Sequence, residues 1–203
     1  QVLVAAIHRD KIELLGQLFR EAGVEPDRVD LQPLAWWQLI RDTPDAVPES
    51  GSQLLILLDN GGCDLLLVSN RIPVLFRSLG NLQGLTPDEG IDEIARETLS
   101  TLASLDADSG NQPMAIRLWY SGTEAPVALL ERLQTDLNTV PKATALSTLQ
   151  PLTWGLITRS LEQGNEGLNL APASWKQKEK TRLFHRRILV ASIAALTLWL
   201  GSL

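Results

Sequence analysis

Histidine and cysteine, two of the residue types most used in nucleophilic and metal chemistry, are scarce in this chain. The two histidines, His8 and His185, are far apart in sequence, so no histidine-based catalytic group is indicated. Cys63 is the one cysteine, and alone it forms neither an internal disulfide nor a metal site; it fits a body in the reducing cytoplasm. These residues therefore indicate no catalytic residue and no metal ligand.

Two short polar motifs remain, and each follows a strand-like run. Asp59-Asn60-Gly61-Gly62 separates two such runs, and Ser121-Gly122-Thr123 lies between a strand-like run and a helical one. Taken by themselves, the first motif is a good hairpin turn and the second a good start for a helix. The residues alone therefore leave a purely structural interpretation open beside a functional one.

The elements that carry these motifs alternate along the chain. Apolar runs predict strands over residues 2–8, 28–32, 53–59, 64–69, 72–77, 114–120 and 140–146. Helical spacing predicts helices over residues 10–22, 33–40, 87–105, 125–138 and 148–161.

Local signals refine three of these elements. Asn70-Arg71 predicts the turn between two strands, and Thr86 with Glu89 predicts a capping box before the helix that begins at residue 87. Ser147 is the predicted cap of the last helix. Trp36 and Trp37 point about 100° apart on one short helix, which predicts that they cannot both face one core.

The order of elements over residues 53–161 is β-β-β-α-β-α-β-α, and residues 1–41 give β-α-β-α. This order resembles the ribonuclease-H-like layout, and two such units in tandem make the actin-like fold. The resemblance implies an α/β, actin-like protein, with the end of a first half at residues 1–48 and a complete second half at 53–162. Residues 42–52, which carry two prolines and three acids, predict the boundary.

Both polar motifs resemble nucleotide loops of actin-like proteins. The run around Asp59, Gly61 and Gly62 resembles their second phosphate loop, which implies a metal-linked acid and backbone N–H groups facing phosphate. Ser121 and Gly122 resemble their adenosine motif. The first loop is about two residues short and lacks its threonine pair, and Thr123 replaces the usual second glycine. We therefore predict a degenerate site with no cofactor, and ATP with Mg²⁺ is the alternative.

The two ends of the chain differ in charge. Residues 1–175 carry a net charge of −11, whereas residues 176–203 carry +5, and an acidic body of this kind gives no support for nucleic-acid binding. Residues 188–203 carry no charge and would span about 24 Å as a helix, against a hydrocarbon core of about 30 Å. We predict a membrane-surface segment at 176–187, followed at 188–203 by the start of a truncated transmembrane helix. We also predict that the chain, which begins at Gln1, is an internal piece of a longer protein. The cations of the membrane-surface segment are Lys176, Lys178, Lys180, Arg182, Arg186 and Arg187.

The segment before the basic residues carries the most specific motif. Gly167-Leu-Asn-Leu-Ala-Pro172 resembles the Asn-Leu-Leu-Pro tail that begins PilN, with Ala171 in place of a leucine, and it marks Asn169, Leu170 and Pro172 as a partner tail motif. Residues 152–157 (LTWGLI) resemble the closing helix of PilM. An actin-like body followed by a membrane helix in one chain is the layout of GspL and MshI-type proteins. The alternative is an ordinary linker over residues 163–175.

The resemblance to the GspL and PilM–PilN family implies a non-enzymatic assembly-platform protein of a type II secretion or type IV pilus system. It implies a single-pass protein of the bacterial inner membrane, with a cytoplasmic body. The implied partners are a cytoplasmic secretion or pilus-extension ATPase, other platform proteins, membrane lipid and further copies of the chain. A membrane-tethered actin-like ATPase that uses Asp59 is the competing hypothesis.

Overall fold

The computed structural model of the chain describes residues 7–24, 26, 28–59, 62–106, 114–164, 167–172 and 175. The chain forms two compact units. The first consists of Gln1–Val4 and Leu31–Gly167, and the second of Ala5–Asp30 and Leu168–Leu203. The first unit contains every strand of the sheet described below.

Residues 52–163 follow the predicted order of elements. The strands are β1 (Ser52–Asp59), β2 (Gly62–Ser69), β3 (Ile72–Asn81), β4 (Ala115–Tyr120) and β5 (Lys142–Ala145). The helices are α1 (Arg9–Glu21), α2 (Gln32–Ile40), α3 (Pro87–Asp106), α4 (Val127–Leu137) and α5 (Leu152–Gln163), with a 3₁₀ turn at Leu146–Thr148. The prediction of a mixed α/β fold is confirmed.

The five strands form one mixed sheet in the order β3-β2-β1-β4-β5. Strand β1 is central, antiparallel to β2 and parallel to β4, and β4 is in turn parallel to β5. The carboxyl ends of β1, β4 and β5 therefore meet at one edge of the sheet, and their amino ends meet at the opposite edge. Each edge carries a distinct group of polar side chains.

Strand β1 is buried on both faces, which explains its continuous run of apolar residues. Leu54 and Ile56 belong to a core cluster with Ile94 of α3 and with Leu129 and Leu133 of α4. Successive side chains of a strand alternate between faces, so the buried Leu55 and Leu57 point to the other side. The sheet thus has an apolar layer on each face.

Helix α2 buries both of its tryptophans. Trp36 and Trp37 are both buried, with 7% and 3% of their surface exposed. The helix packs against α5, and seven of its nine residues are buried, among them Ala35, which lies against Gly155 of α5. A helix that is apolar all round is enclosed on several sides, so two side chains that point about 100° apart are both buried without facing one core.

The capping box before α3 is confirmed. The backbone N–H of Thr86 donates to Glu89 Oε2 at 2.8 Å, and the N–H of Glu89 donates to Thr86 Oγ1 at 3.4 Å. The Asn70-Arg71 turn is confirmed as well, and both of its residues have the positive φ that a two-residue type I′ turn requires.

Two local predictions are wrong. Ser147 lies in the 3₁₀ turn and does not cap α5, because Pro151 disfavours helical geometry at residue 150 and the helix begins at Leu152 instead. Residues 28–31 belong to no strand, and Gln32, the predicted end of that strand, is the first residue of α2.

The predicted first strand falls largely on residues 1–6, outside the described part of the chain. The basic segment at 176–187 and the transmembrane helix at 188–203 also lie outside it. None of the helices in the described ranges combines the length and the apolar character needed to cross a bilayer.

Candidate functional site

The two motifs singled out from the sequence meet at the carboxyl edge of the sheet. Asp59 is the last residue of β1, and Ser121 directly follows β4. The Ser121 N–H donates to the carbonyl oxygen of Leu58 at 2.8 Å, which extends the parallel pairing by one residue. Asp59, Gly62, Ser121 and Gly122 therefore lie in one region, whereas Gly61 is outside the described residues.

The Asp59 carboxylate is a hydrogen-bond acceptor for α2. Its Oδ2 atom accepts a bond from Gln32 Nε2 at 2.7 Å and a second from Trp36 Nε1 at 3.2 Å. Hydrogen bonds to an ionised acceptor are among the stronger ones in proteins. A metal ion bound through Oδ2 would have to displace these donors, so the arrangement holds the helix to the strand.

Gly62 has a local structural reason to be glycine. A Cβ atom at this position would lie 3.2 Å from the carbonyl oxygen of Gly80 and 3.5 Å from that of Asp59. Asp59 pairs directly with Gly62 across the hairpin, which leaves only two residues between the paired positions. A connection of two residues is the length of a tight hairpin turn.

Asp64 adds a second acid to this region that the sequence analysis did not single out. Burial raises the pKa of its carboxyl group, the hydrogen bond to Ser78 opposes this, and the negative charge of Asp59 raises the pKa further. Two interacting carboxyl groups disfavour a bound phosphate. The sequence feature that could have pointed to Asp64 is its position as a charged residue within an otherwise apolar strand.

The other described residues of this region offer neither a reactive nucleophile nor a group of metal ligands. Burial raises the pKa of the Cys63 thiol, so this side chain remains protonated and is a poor nucleophile. Gly122 has a φ of +119°, which explains the glycine by backbone conformation. Among the described residues, no group of three or more His, Cys, Asp or Glu side chains is placed to hold a metal ion.

The tail motif is held within the second unit. Asn169 Oδ1 accepts hydrogen bonds from the N–H of Val29 at 3.1 Å and from that of Ala171 at 2.9 Å. The Leu170 N–H donates to the carbonyl oxygen of Val29 at 2.8 Å. The Trp175 ring lies against Gly16 of α1, where a Cβ atom would overlap it. Asn169 and Leu170 thus pair with an extended segment near the start of the chain.

No family model matches the chain, and no curated protein matches it. Among solved structures, it is similar to the PilM–PilN type IV pilus biogenesis complex, at 16% identity and a TM-score of 0.47, over 64% of this chain and 47% of the other. A second similar structure is a Bacteroides thetaiotaomicron protein with an actin-like ATPase fold and unknown function, at 12% identity and a TM-score of 0.43, over 75% and 52%. The chain spans about half the length of each, and neither similarity assigns a role to a residue.

Proposed function

We propose that this chain is part of a non-enzymatic assembly-platform protein of the bacterial inner membrane, in a type IV pilus or type II secretion system. Its body docks a cytoplasmic ATPase and other platform proteins, and a membrane helix at residues 188–203 couples that contact across the bilayer. The tail motif at residues 167–172 and the PilM-like motif at residues 152–157 support the assignment to a pilus or secretion system. No nucleotide cofactor is required for this role.

The proposal that the protein is not an enzyme rests on the hydrogen bonds that Asp59 accepts from α2. A metal-linked acid must present its oxygens to the ion, whereas Asp59 Oδ2 accepts bonds from Gln32 and Trp36. The two-residue hairpin and the neighbouring Asp64 carboxyl group also disfavour a phosphate. The acid at this edge therefore serves the attachment of α2.

Attachment to the membrane supports a docking role on physical grounds. The six cations of the basic segment suit anionic lipid headgroups, at about 1 kcal/mol per cation near the surface. A body tethered a few residues from the bilayer meets partners there at an effective concentration of about millimolar. Recruitment of an ATPase, or of further copies of the chain, then needs no catalysis.

Two assays test this proposal. The full-length protein should co-purify with the cytoplasmic ATPase of its own pilus or secretion system, and should show no ATP turnover above that of an Asp59→Ala variant. Turnover that Asp59→Ala abolishes would establish the competing function, a membrane-tethered actin-like ATPase. The meeting of Asp59, Ser121 and Gly122 at one edge of the sheet is the observation that favours that second candidate.

A further inference from the structure

A cavity lies in the first unit, at the opposite edge of the sheet from Asp59. It has a volume of about 570 Å³, which is within the range of small-molecule sites, about 300–1,000 Å³. Gln53 of β1 and Ala115 of β4, which pair with each other at the amino ends of these strands, form part of its wall. Its charged lining residues are Arg41, Arg71, Arg117, Asp42, Asp45 and Glu49.

Arg117 is the central feature of this cavity. Only 8% of its surface is exposed. Its Nη2 atom donates to the carbonyl oxygen of Asp45 at 2.7 Å, but its buried Nε atom has no partner among the described residues. Burial lowers the pKa of the guanidinium group, and the nearby Asp45 charge opposes this shift. A buried cation of this kind is costly unless an anion accompanies it.

Gln53 lines the same cavity and has a buried acceptor atom without a hydrogen-bond partner in the described part of the chain. This atom is Oε1, and the residue is 4% exposed. Buried polar atoms in native proteins are nearly always paired, so each exception calls for an explanation. Two residues that line the cavity thus each have a buried polar atom without a hydrogen-bond partner among the described residues, one a donor and one an acceptor.

The other two guanidinium groups of the cavity already have anionic partners. Arg71 pairs with Glu49 at 3.1 Å, and Arg41 pairs with Glu162 at 2.5 Å. Within the described residues, Arg117 has no carboxylate within 4.0 Å. Asp42 also lies against Arg41, at 3.5 Å, so the lining holds three arginines and three acids and is neutral overall. It therefore suits a ligand with at most one net negative charge better than a polyanion such as a nucleotide.

The backbone of the cavity wall has an unusual conformation at Asp45. This residue is left-handed, with a φ of 56°, although it is not glycine. Such conformations persist where the surroundings fix them, and they concentrate at binding and catalytic sites. Here the carbonyl oxygen of Asp45 accepts the hydrogen bond from Arg117.

We propose that this cavity binds a ligand that carries one carboxylate next to a hydrogen-bond donor, with the carboxylate against Arg117 and the donor facing Gln53. A free α-amino acid has this chemistry, and so does an acidic side chain with its backbone N–H in a peptide. The proposal is independent of the function proposed above, since it involves neither Asp59 nor the tail motif.

Calorimetry on the full-length protein tests it. The probes are L-glutamate, a blocked tripeptide with a central glutamate, acetate as a carboxylate without a donor, and inorganic phosphate. We expect saturable binding of L-glutamate, with weaker binding of acetate and phosphate. Saturable binding of the blocked peptide alone also supports the proposal, and would place the ligand on a partner protein.

Two variants probe the site, and a third is a control at a position outside the cavity lining. Arg117→Gln should weaken binding by about 10- to 100-fold, because it removes a charge-assisted hydrogen bond. Gln53→Glu should weaken it comparably, through repulsion of the carboxylate and without loss of the guanidinium. Arg132→Gln, on the exposed surface of α4, is the matched control and should bind as the unmodified protein does.

A further measurement keeps the proposal testable if Arg117→Gln or Gln53→Glu does not fold. The unmodified protein should gain thermal stability with added L-glutamate, or with the peptide, in proportion to the logarithm of its concentration above Kd. Absence of saturable binding by both probes overturns the proposal. So does equal binding by a folded Arg117→Gln variant.

Discussion

The indole Nε1 of Trp36 donates a hydrogen bond to Oδ2 of Asp59, at 3.2 Å. This bond joins α2 to the last residue of β1 within the first unit, and Gln32 adds a second donor to the same oxygen. An acid at the end of a strand and before a glycine pair thereby holds a helix in place. The structural interpretation of the motif at residues 59–62 follows from this pairing.

Removal of the Asp59 carboxylate should destabilise the protein. Asp59→Ala should lower the free energy of unfolding by about 1.5–3 kcal/mol, because it leaves the buried indole N–H of Trp36 without its acceptor. Urea denaturation measures the change. In a double-mutant cycle with Trp36→Phe, we expect a coupling energy of at least about 0.5 kcal/mol. Glu124→Ala, at an exposed position, is the control and should stay within about 0.5 kcal/mol. Additive effects in the cycle would show that the bond contributes nothing.

The contact between α2 and α5 depends on a glycine. A Cβ atom on Gly155 would lie 2.3 Å from the carbonyl oxygen of Ala35, so Gly155→Ala must push the helices apart. We expect a loss of about 1–3 kcal/mol in the free energy of unfolding.

Gly90 of α3 is the matched control for this substitution. A Cβ atom there would meet nothing within 4 Å, and Gly90→Ala should stabilise the protein by about 0.4–1 kcal/mol. Thermal or urea unfolding of both variants gives the comparison. A stabilised Gly155→Ala variant would contradict the packing of α2 on α5.

The capping box of α3 predicts a dependence of stability on pH. The backbone and side-chain hydrogen bonds from Thr86 lower the pKa of Glu89 below its ordinary value of 4.5. Its contribution is therefore fully present above pH 4.5 and is lost as the pH falls through the lowered pKa.

Urea midpoints at neutral and acidic pH check this dependence. The Glu89→Gln variant should be less stable than the unmodified protein at pH 7, and the difference should shrink as the pH falls. Glu131→Gln, on the exposed face of α4, should show no such trend. A Glu89→Gln difference that stays constant with pH would show that the carboxylate does not titrate against the cap.

The tail pairing predicts a local change in hydrogen exchange. Asn169→Ala removes the acceptor of the Val29 N–H, so exchange at this amide should become faster. Asn169→Asp retains an oxygen acceptor and should preserve most of the protection. Equal exchange rates at Val29 in both variants and in the unmodified protein would contradict the pairing of the tail with this segment.

The elements that could be predicted from the sequence depend on local chemistry. Thr86 and Glu89 lie three residues apart beside a proline, and Asn70-Arg71 separates two apolar runs by two residues, so both features follow from neighbours in the chain. The same holds for the order of strands and helices, because apolar periodicity is a local pattern.

Long-range packing explains the failures. Helix α2 packs against α5, more than 100 residues later in the sequence, and no local pattern reports the enclosure of both Trp36 and Trp37. Asp59 was singled out from the sequence as a nucleotide-loop acid, but its hydrogen-bond partners lie 23 and 27 residues earlier, where no local pattern points to them. The cavity around Arg117 was missed, because Asp45, Arg71 and Arg117 come together only in the folded sheet.

The most direct test of the non-enzymatic docking role is calorimetric titration of the full-length protein with ATP and Mg²⁺, beside its Asp59→Ala variant. The engagement of Asp59 by Gln32 and Trp36 predicts no saturable nucleotide binding by either folded protein. Saturable Mg²⁺-dependent binding that is lost in Asp59→Ala would contradict the account, and would show that the carboxyl edge of the sheet is a working phosphate site.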